Sequence, residues 1–285
     1  MSASNKHIMG EVKTIALATD GSEFSEGAVQ EAILFGQSCG AKIVVLNVIA
    51  IDTESATSAH STSAAARRDT KEYIENIQKM ATDNEIECEV VIKESYQPDK
   101  TIVDLAYQHN ADVIIMGRHG RRGLLKLLVG SMTSKVIGHG FPNVLVVPKD
   151  FTITGEKILL ATDGSEASQL AAEEALSMST HCSRLEDIYI LSVATKESEL
   201  EEAEQMANLI CEKAKIQETG AVCTPIATIG RPSEVIVATA LDKNVDMILI
   251  GGHGKGLSKL LMGHVTEKVI GRAHCAVLVV EKDKK

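Results

Sequence analysis

The stretch Val113 to Pro148, VIIMGRHGRRGLLKLLVGSMTSKVIGHGFPNVLVVP, decides how the rest of the chain is read. Its ends, Val113-Ile114-Ile115-Met116 and Val144-Leu145-Val146-Val147, are apolar runs without polar alternation, the pattern of strands covered by helices on both faces. Between them stand a glycine-rich basic segment and a helical pattern that opens at Gly130-Ser131. Strand, loop, helix and strand in that order make one crossover unit of a parallel sheet.

Outward from this unit, short β-branched runs alternate with helical patterns along the whole chain, and the pattern occurs twice. IALATDGSEFSEGAVQEAI at 15–33 returns as ILLATDGSEASQLAAEEAL at 158–176, and VLVVPKD at 144–150 returns as VLVVEKD at 277–283. Asp20 maps to Asp163 at an offset of 143, Gly117 to Gly251 at 134 and Gly130 to Gly263 at 133, so the later copy is shorter before its third helix and by one residue in the glycine loop. At 285 residues the chain suits two domains, 10–149 and 155–283, each large enough for its own core. The spacing predicts strands at 12–19, 42–49, 86–93, 111–116 and 143–147 with helices at 24–38, 66–84, 98–109 and 131–139. The second copy predicts strands at 156–162, 186–193, 221–227, 245–250 and 276–280 with helices at 168–180, 198–219, 232–243 and 264–273. Each copy is then a three-layer α/β domain. Residues 53–66, small and polar, read as a connection rather than a phosphorylated regulatory segment, and the join at 150–155 is too short to let the halves wander.

With no Trp, four Phe and four Tyr, the cores must be aliphatic. The net charge of -10 argues against nucleic-acid or membrane-surface binding by the protein as a whole, though not against a local anion site. No apolar run approaches the roughly 20 residues of a membrane span, and MSASNKHIMGEVK lacks the apolar run of a signal peptide, so a soluble cytoplasmic protein is expected. Six Cys without a CxxC pair fit reduced thiols better than a disulfide framework or a zinc site.

Chemistry should collect at the carboxyl ends of the strands, where ligands bind on open α/β sheets. Asp20-Gly21-Ser22 ends the first strand, Asn47-Val48 the second and Gly117 the fourth. Gly117 and Gly120 permit close backbone approach and positive φ, which exposes amides to an anion. Nine residues later, Gly130-Ser131 opens a helix whose first N–H groups lack internal partners, with Ser131 or Thr133 able to bond a phosphate or cap the helix. From Val113 to Lys149 there is no Asp or Glu against Arg118, Arg121, Arg122, Lys126, Lys135 and Lys149, a local sink for negative charge.

On these residues the chain resembles a tandem member of the universal stress protein family. The G-x2-G-x9-G-[ST] loop, present as Gly117, Gly120, Gly130 and Ser131, is that family's ATP-binding signature, and the ATDGS segment and closing VLVVP strand match as well. The resemblance covers essentially the whole chain, twice. It implies two tandem Rossmann-like domains, each a five-stranded parallel sheet of order 3-2-1-4-5 with helices on both faces. By position it places Asp20 and Val48 beside adenine and ribose, and Met116 and Gly117 along the ribose. Gly120, Gly130, Ser131 and Met132 then face phosphates bridged by Mg²⁺. Arg118, Arg121 and Arg122 join this set from charge alone.

The second copy departs from the signature. Gly251-Gly252-His253-Gly254 is followed by eight residues and then Gly263-His264, so a residue and the hydroxyl are lost. Its cations, Lys255, Lys259, Lys268 and Arg272, face Glu267. Asp163, Val193, Gly251, Gly254 and Gly263 make up this weaker second site. His119 and His253 hold the same loop position, read as loop residues bonding backbone rather than as proton-transfer groups. His264, His274 and Cys275 lack a fourth spaced ligand for zinc.

No nucleophile stands with a paired base and no P-loop is present, so the resemblance implies nucleotide binding with slow hydrolysis at most. Three functions stay open: an ATP-binding regulatory module with one competent site, a slow ATPase or phosphotransferase, and an interaction scaffold that binds no nucleotide. Val144–Val147 and Val277–Val280 are apolar edges that need covering. The resemblance suggests that they pair as a pseudo-dimer within one chain, with association of two chains left open.

Overall fold

In a computed structural model, residues 12–51, 64–119, 129–217, 220–254 and 262–283 are described. The first repeat runs β1 (Thr14–Ala18), α1 (Glu26–Cys39), β2 (Lys42–Ala50), α2 (Ala64–Asp83), β3 (Cys88–Ser95), α3 (Pro98–Gln108), β4 (Val113–Gly117), α4 (Ser131–Gly138) and β5 (Asn143–Val147). The second runs β6 (Lys157–Thr162), α5 (Glu166–His181), β7 (Asp187–Ala194), α6 (Leu200–Ile216), β8 (Val222–Ile229), α7 (Pro232–Asp242), β9 (Met247–Gly251), α8 (His264–Arg272) and β10 (Ala276–Val280). The largest departure from the sequence pattern is the end of α6. The helix stops at Ile216 because Gln217 already has φ -81° and ψ 1°. The connection at 53–63 lies outside the described residues.

The strands form one ten-stranded sheet of order β3-β2-β1-β4-β5-β10-β9-β6-β7-β8. Each half is parallel and has the order 3-2-1-4-5, and the halves join where β5 and β10 pair antiparallel. In that seam Leu145 faces Leu278, its own counterpart, while Val146 faces Val277 and Val144 faces Val279. The register is centred on Leu145 and Leu278, the same position in the two repeats.

Side chains alternate across the sheet with period two. Ile15, Leu17, Ile43, Val45, Ile115 and Leu145 enter one core beneath α1, α2, α5 and α6. Ala16, Val44, Leu46, Ile114, Val144 and Val146 enter the other beneath α3, α4, α7 and α8. Both cores contain residues of both repeats.

The first strand of each repeat is anchored by an acid at the entrance to its fourth. Asp112 Oδ2 accepts from the amides of Lys13 and Thr14 at 2.7 and 3.0 Å. Asp246 accepts from Thr154 N and Oγ1 at 3.1 and 2.8 Å and from Glu156 N and Lys157 N at 2.9 and 2.8 Å. Asp246 thereby fixes the join between repeats. Glu31 of α1 completes the attachment, its buried Oε1 accepting from Ile153 N at 2.7 Å.

Cys211 of α6 and Cys223 of β8 form a disulfide with Cα atoms 5.5 Å apart, which corrects the expectation of reduced thiols throughout. The two lie 12 residues apart on a helix and the strand it packs against, a pairing that tertiary contact creates and CxxC spacing does not reveal. Cys88, Cys182 and Cys275 are free.

Burial raises the Glu31 carboxyl to about 7, above its unfolded value of 4.5, with Asp246 adding to the shift and the Ile153 amide opposing it. The folded state therefore holds a proton that the unfolded state has released between those values, and stability falls as pH rises through that window. Glu31→Gln is expected to flatten this dependence in urea unfolding at pH 4.5 to 8, with a difference approaching 3 kcal/mol at the alkaline end as an order of magnitude.

Candidate functional site

Because the two halves run antiparallel, the carboxyl ends of β1, β2 and β4 lie at one edge of the sheet and those of β6, β7 and β9 at the opposite edge. At each edge the fourth strand ends in a glycine that contacts the first βα turn. A Cβ on Gly117 would fall 2.6 Å from the carbonyl oxygen of Phe24, and one on Gly251 would fall 2.8 Å from the amide of Ser168. No larger residue fits there. A threonine then ties each following helix to the strand: Thr133 Oγ1 donates to Gly117 O at 3.0 Å and Thr266 Oγ1 to Gly251 O at 2.8 Å. Thr133 is thus buried and structural, which removes it as a phosphate ligand.

Gly130 caps α4, and among the described residues no side chain bonds the first turn. Its own amide donates to Arg118 O at 2.9 Å, while the helix ladder begins with Ser134 N to Gly130 O at 3.0 Å. The amides of Ser131, Met132 and Thr133 precede that ladder and form the positive end of the helix. Ser131 is exposed and Met132 half-buried beside them. Val48 is half-buried at the end of β2, and Met116 is 4% exposed with its side chain in the core, so it offers main-chain groups only. Asp20 sits at the same edge, where its Oδ1 accepts from Ser22 N at 3.0 Å, Ser22 Oγ at 2.6 Å and Ser25 Oγ at 3.5 Å.

Gly120, Arg121, Arg122 and Lys126 lie outside the described residues. The cations that are described do not converge on the helix opening. Arg118 was expected to face phosphate; its Nη2 instead donates to the carbonyl of Ala273 at the end of α8 in the other repeat. Burial lowers its pKa. The cause is the antiparallel seam, which sets the exit of β4 against the entrance to β10. Lys149 pairs with Glu23 and stands 5.8 Å from the Phe24 ring centroid, and Lys135 belongs to the last turn of α4.

The second edge holds a cavity of about 190 Å³ lined by all five residues assigned to it, Asp163, Val193, Gly251, Gly254 and Gly263. Leu191, Ile236 and Ile250 add an apolar wall. A larger concavity of about 800 Å³ lies between α5 and α6, apart from the glycine loop. Sequence reasoning missed the pair at the second loop, where His253 Nδ1 bonds Glu281 Oε1 and both side chains are 9% exposed. The available signal was the change from VLVVPKD to VLVVEKD, the one substitution in that repeated segment. Lys255 and Lys259 are not among the described residues. His264 and His274 stand at opposite ends of α8, separated by about 13 Å of helix. Among the described residues no group of three or more His, Cys, Asp or Glu is placed to hold a metal.

The universal stress protein family model matches residues 11–148 and again 155–281. The chain belongs to the universal stress protein family. A universal stress protein of Methanocaldococcus jannaschii is 35% identical over 143 residues, which is 46% of this chain and 84% of that protein, or about one repeat. Another, of Synechocystis, is 24% identical over 291 residues, 94% of this chain and 99% of its own length, so the doubled arrangement recurs there. The crystal structure of a universal stress protein from Archaeoglobus fulgidus has the same fold at a TM-score of 0.75 and 21% identity, covering 97% of this chain and 99% of that one. Among the described residues no helix is long and apolar enough to cross a membrane.

Arg118 acts across the repeats, so Arg118→Ala is expected to lower stability by about 1–3 kcal/mol in urea unfolding. Arg118→Lys should recover part of the loss by retaining a donor. A variant as stable as the parent would show that the contact contributes nothing.

Proposed function

We propose that this universal stress protein is an ATP-binding regulatory module whose competent site is in the first repeat, and that binding rather than turnover is its activity. The observation that carries this reading is the opening of α4. Among the described residues no side chain caps its N-terminal amides, an exposed hydroxyl stands at Ser131, and the glycine strand end at Gly117 lets backbone approach a ligand. In this reading Gly120, Gly130, Ser131 and Met132 receive the phosphates, Met116 and Gly117 border the ribose, and Asp20 and Val48 lie beside the nucleoside. Mg²⁺ would arrive with ATP and offset part of the phosphate charge, with no residue of this chain assigned to hold it. The seam between β5 and β10 is read as an intramolecular pseudo-dimer, with the second repeat in the place of a second subunit.

Binding is favoured over hydrolysis because the Asp20 carboxylate already accepts three local hydrogen bonds, two from Ser22 and one from Ser25, and so serves the turn after β1. An acid used in this way is poorly placed to activate water. Calorimetric titration of the full chain with Mg-ATP should show one site. Gly130→Ala combined with Ser131→Ala should weaken it at least about tenfold. Two equal sites, or none, would contradict the proposal. ADP production that disappears on Asp20→Ala would assign slow hydrolysis instead.

A further inference from the structure

On the outer face of the second repeat, a groove of about 800 Å³ runs between α5 and α6. β6 and β7 pair parallel and both helices return over the same core, so α5 and α6 point in the same direction. From Gln169 to His181 the groove follows α5 for roughly 18 Å, about three turns of helix. Ala172, Leu176 and Ile210 are buried at its base, with Met206 beside them.

The groove is a divergence between the repeats. Val29 of α1 corresponds to Ala172 of α5 at the offset of 143 that relates Asp20 to Asp163. The buried triad Ile74, Ile77 and Ala81 of α2 corresponds to Ala207, Ile210 and Ala214 of α6, which sets Tyr73 against Met206. Both second-repeat residues are the less bulky, and α5 and α6 approach each other less closely than α1 and α2 do.

One wall of this groove is apolar and uncovered. Leu209 lines it near the middle of α6 and is 54% exposed, and Ile216, two turns later on the same helix face, is 81% exposed. Large apolar side chains left in water beside an apolar groove mark a contact surface. Charge gives the contact a direction. α5 has Glu166 in its first turn and His181 in its last, while α6 has Glu201 and Glu202 in its first turn and Lys213 and Lys215 in its last. A helix laid antiparallel along the groove, with a basic last turn and an acidic first turn, meets opposite charge at both ends. The helix α6 of a second copy has that polarity.

We propose that this groove is the surface through which two copies of the chain associate, α6 of each lying antiparallel in the groove of the other about a two-fold axis near Leu209. Each copy then supplies one groove and one helix, so a single self-complementary surface satisfies both. Leu209 and Ile216 leave water together, and the opposed end charges select the antiparallel orientation. The proposal is independent of nucleotide binding at either sheet edge.

The test is sedimentation velocity on the full chain over a range of concentrations, with folding of every variant checked by circular dichroism. The unmodified chain is expected to form a dimer, and Leu209→Glu to weaken it at least about tenfold. Two charge reversals test the orientation, one combining Glu201→Lys with Glu202→Lys and the other Lys213→Glu with Lys215→Glu. Each alone should weaken association, and an equal mixture of the two should recover it to within about threefold of the unmodified chain, because each first turn then meets a last turn of opposite sign. A single-chain species at every concentration would overturn the proposal, whether the groove then takes a peptide helix or a small apolar molecule. A dimer indifferent to Leu209→Glu, or a mixture no tighter than its components, would overturn it as well. If Leu209→Glu does not fold, the charge-reversed pair decides the same point.

Discussion

The antiparallel pairing of β5 with β10 sets the geometry of everything else in the molecule. An apolar strand at the edge of a parallel sheet is a template for aggregation, and each repeat ends in one. Setting Leu145 against Leu278 consumes both edges at once and makes two five-stranded halves into one sheet with two continuous cores. The same pairing turns the second half around, so that the two carboxyl edges face opposite ways. The carboxyl edge of one repeat is then separated from that of the other by the full width of the sheet's strands. What crosses it is structural: Arg118 to Ala273, the amide of Glu281 to Pro142 O, and Glu31 to Ile153 in the connection.

At positions the duplication makes equivalent, the two repeats have diverged in a way that follows from this arrangement. Residue 118 in the first repeat corresponds to Gly252 in the second. Arg118 projects from the glycine loop into the neighbouring half, whereas the space beside Gly252 is filled by Glu281 of its own half. One loop thus carries a half-buried arginine used for assembly, and the other a histidine bonded to a buried glutamate.

Much of the fold was legible because its determinants are local. Runs such as Val113–Met116 are apolar on every residue, which requires cover on both faces and hence a parallel sheet. The positions of α4 and α8 followed from Gly130 and Gly263, since a glycine before a helical pattern marks an N-cap. Arg118 shows where such reading ends. Its place beside Gly117 and the absence of acids nearby pointed to phosphate, but the direction of a long side chain is fixed by what docks against the loop. That neighbour, Ala273, is 155 residues away and is brought near by the seam. Cys211 with Cys223 and His253 with Glu281 are of the same kind, pairs joined by tertiary contact with no spacing rule to announce them.

The glycine loop serves two purposes that the duplication separates. Thr133 to Gly117 and Thr266 to Gly251 are the same bond in both repeats, as is the close approach of each strand-end glycine to the first βα turn. These contacts hold the fourth strand, its helix and the first turn together. The exposed hydroxyl at Ser131 has no such duty, and in the second repeat it is replaced by His264. Because the seam stabilises both halves together, a substitution confined to the ligand-facing residues of one loop leaves the packing intact. At the end of the closing strand the repeats differ by Pro148 against Glu281, while the sheet that carries both keeps the same strand order.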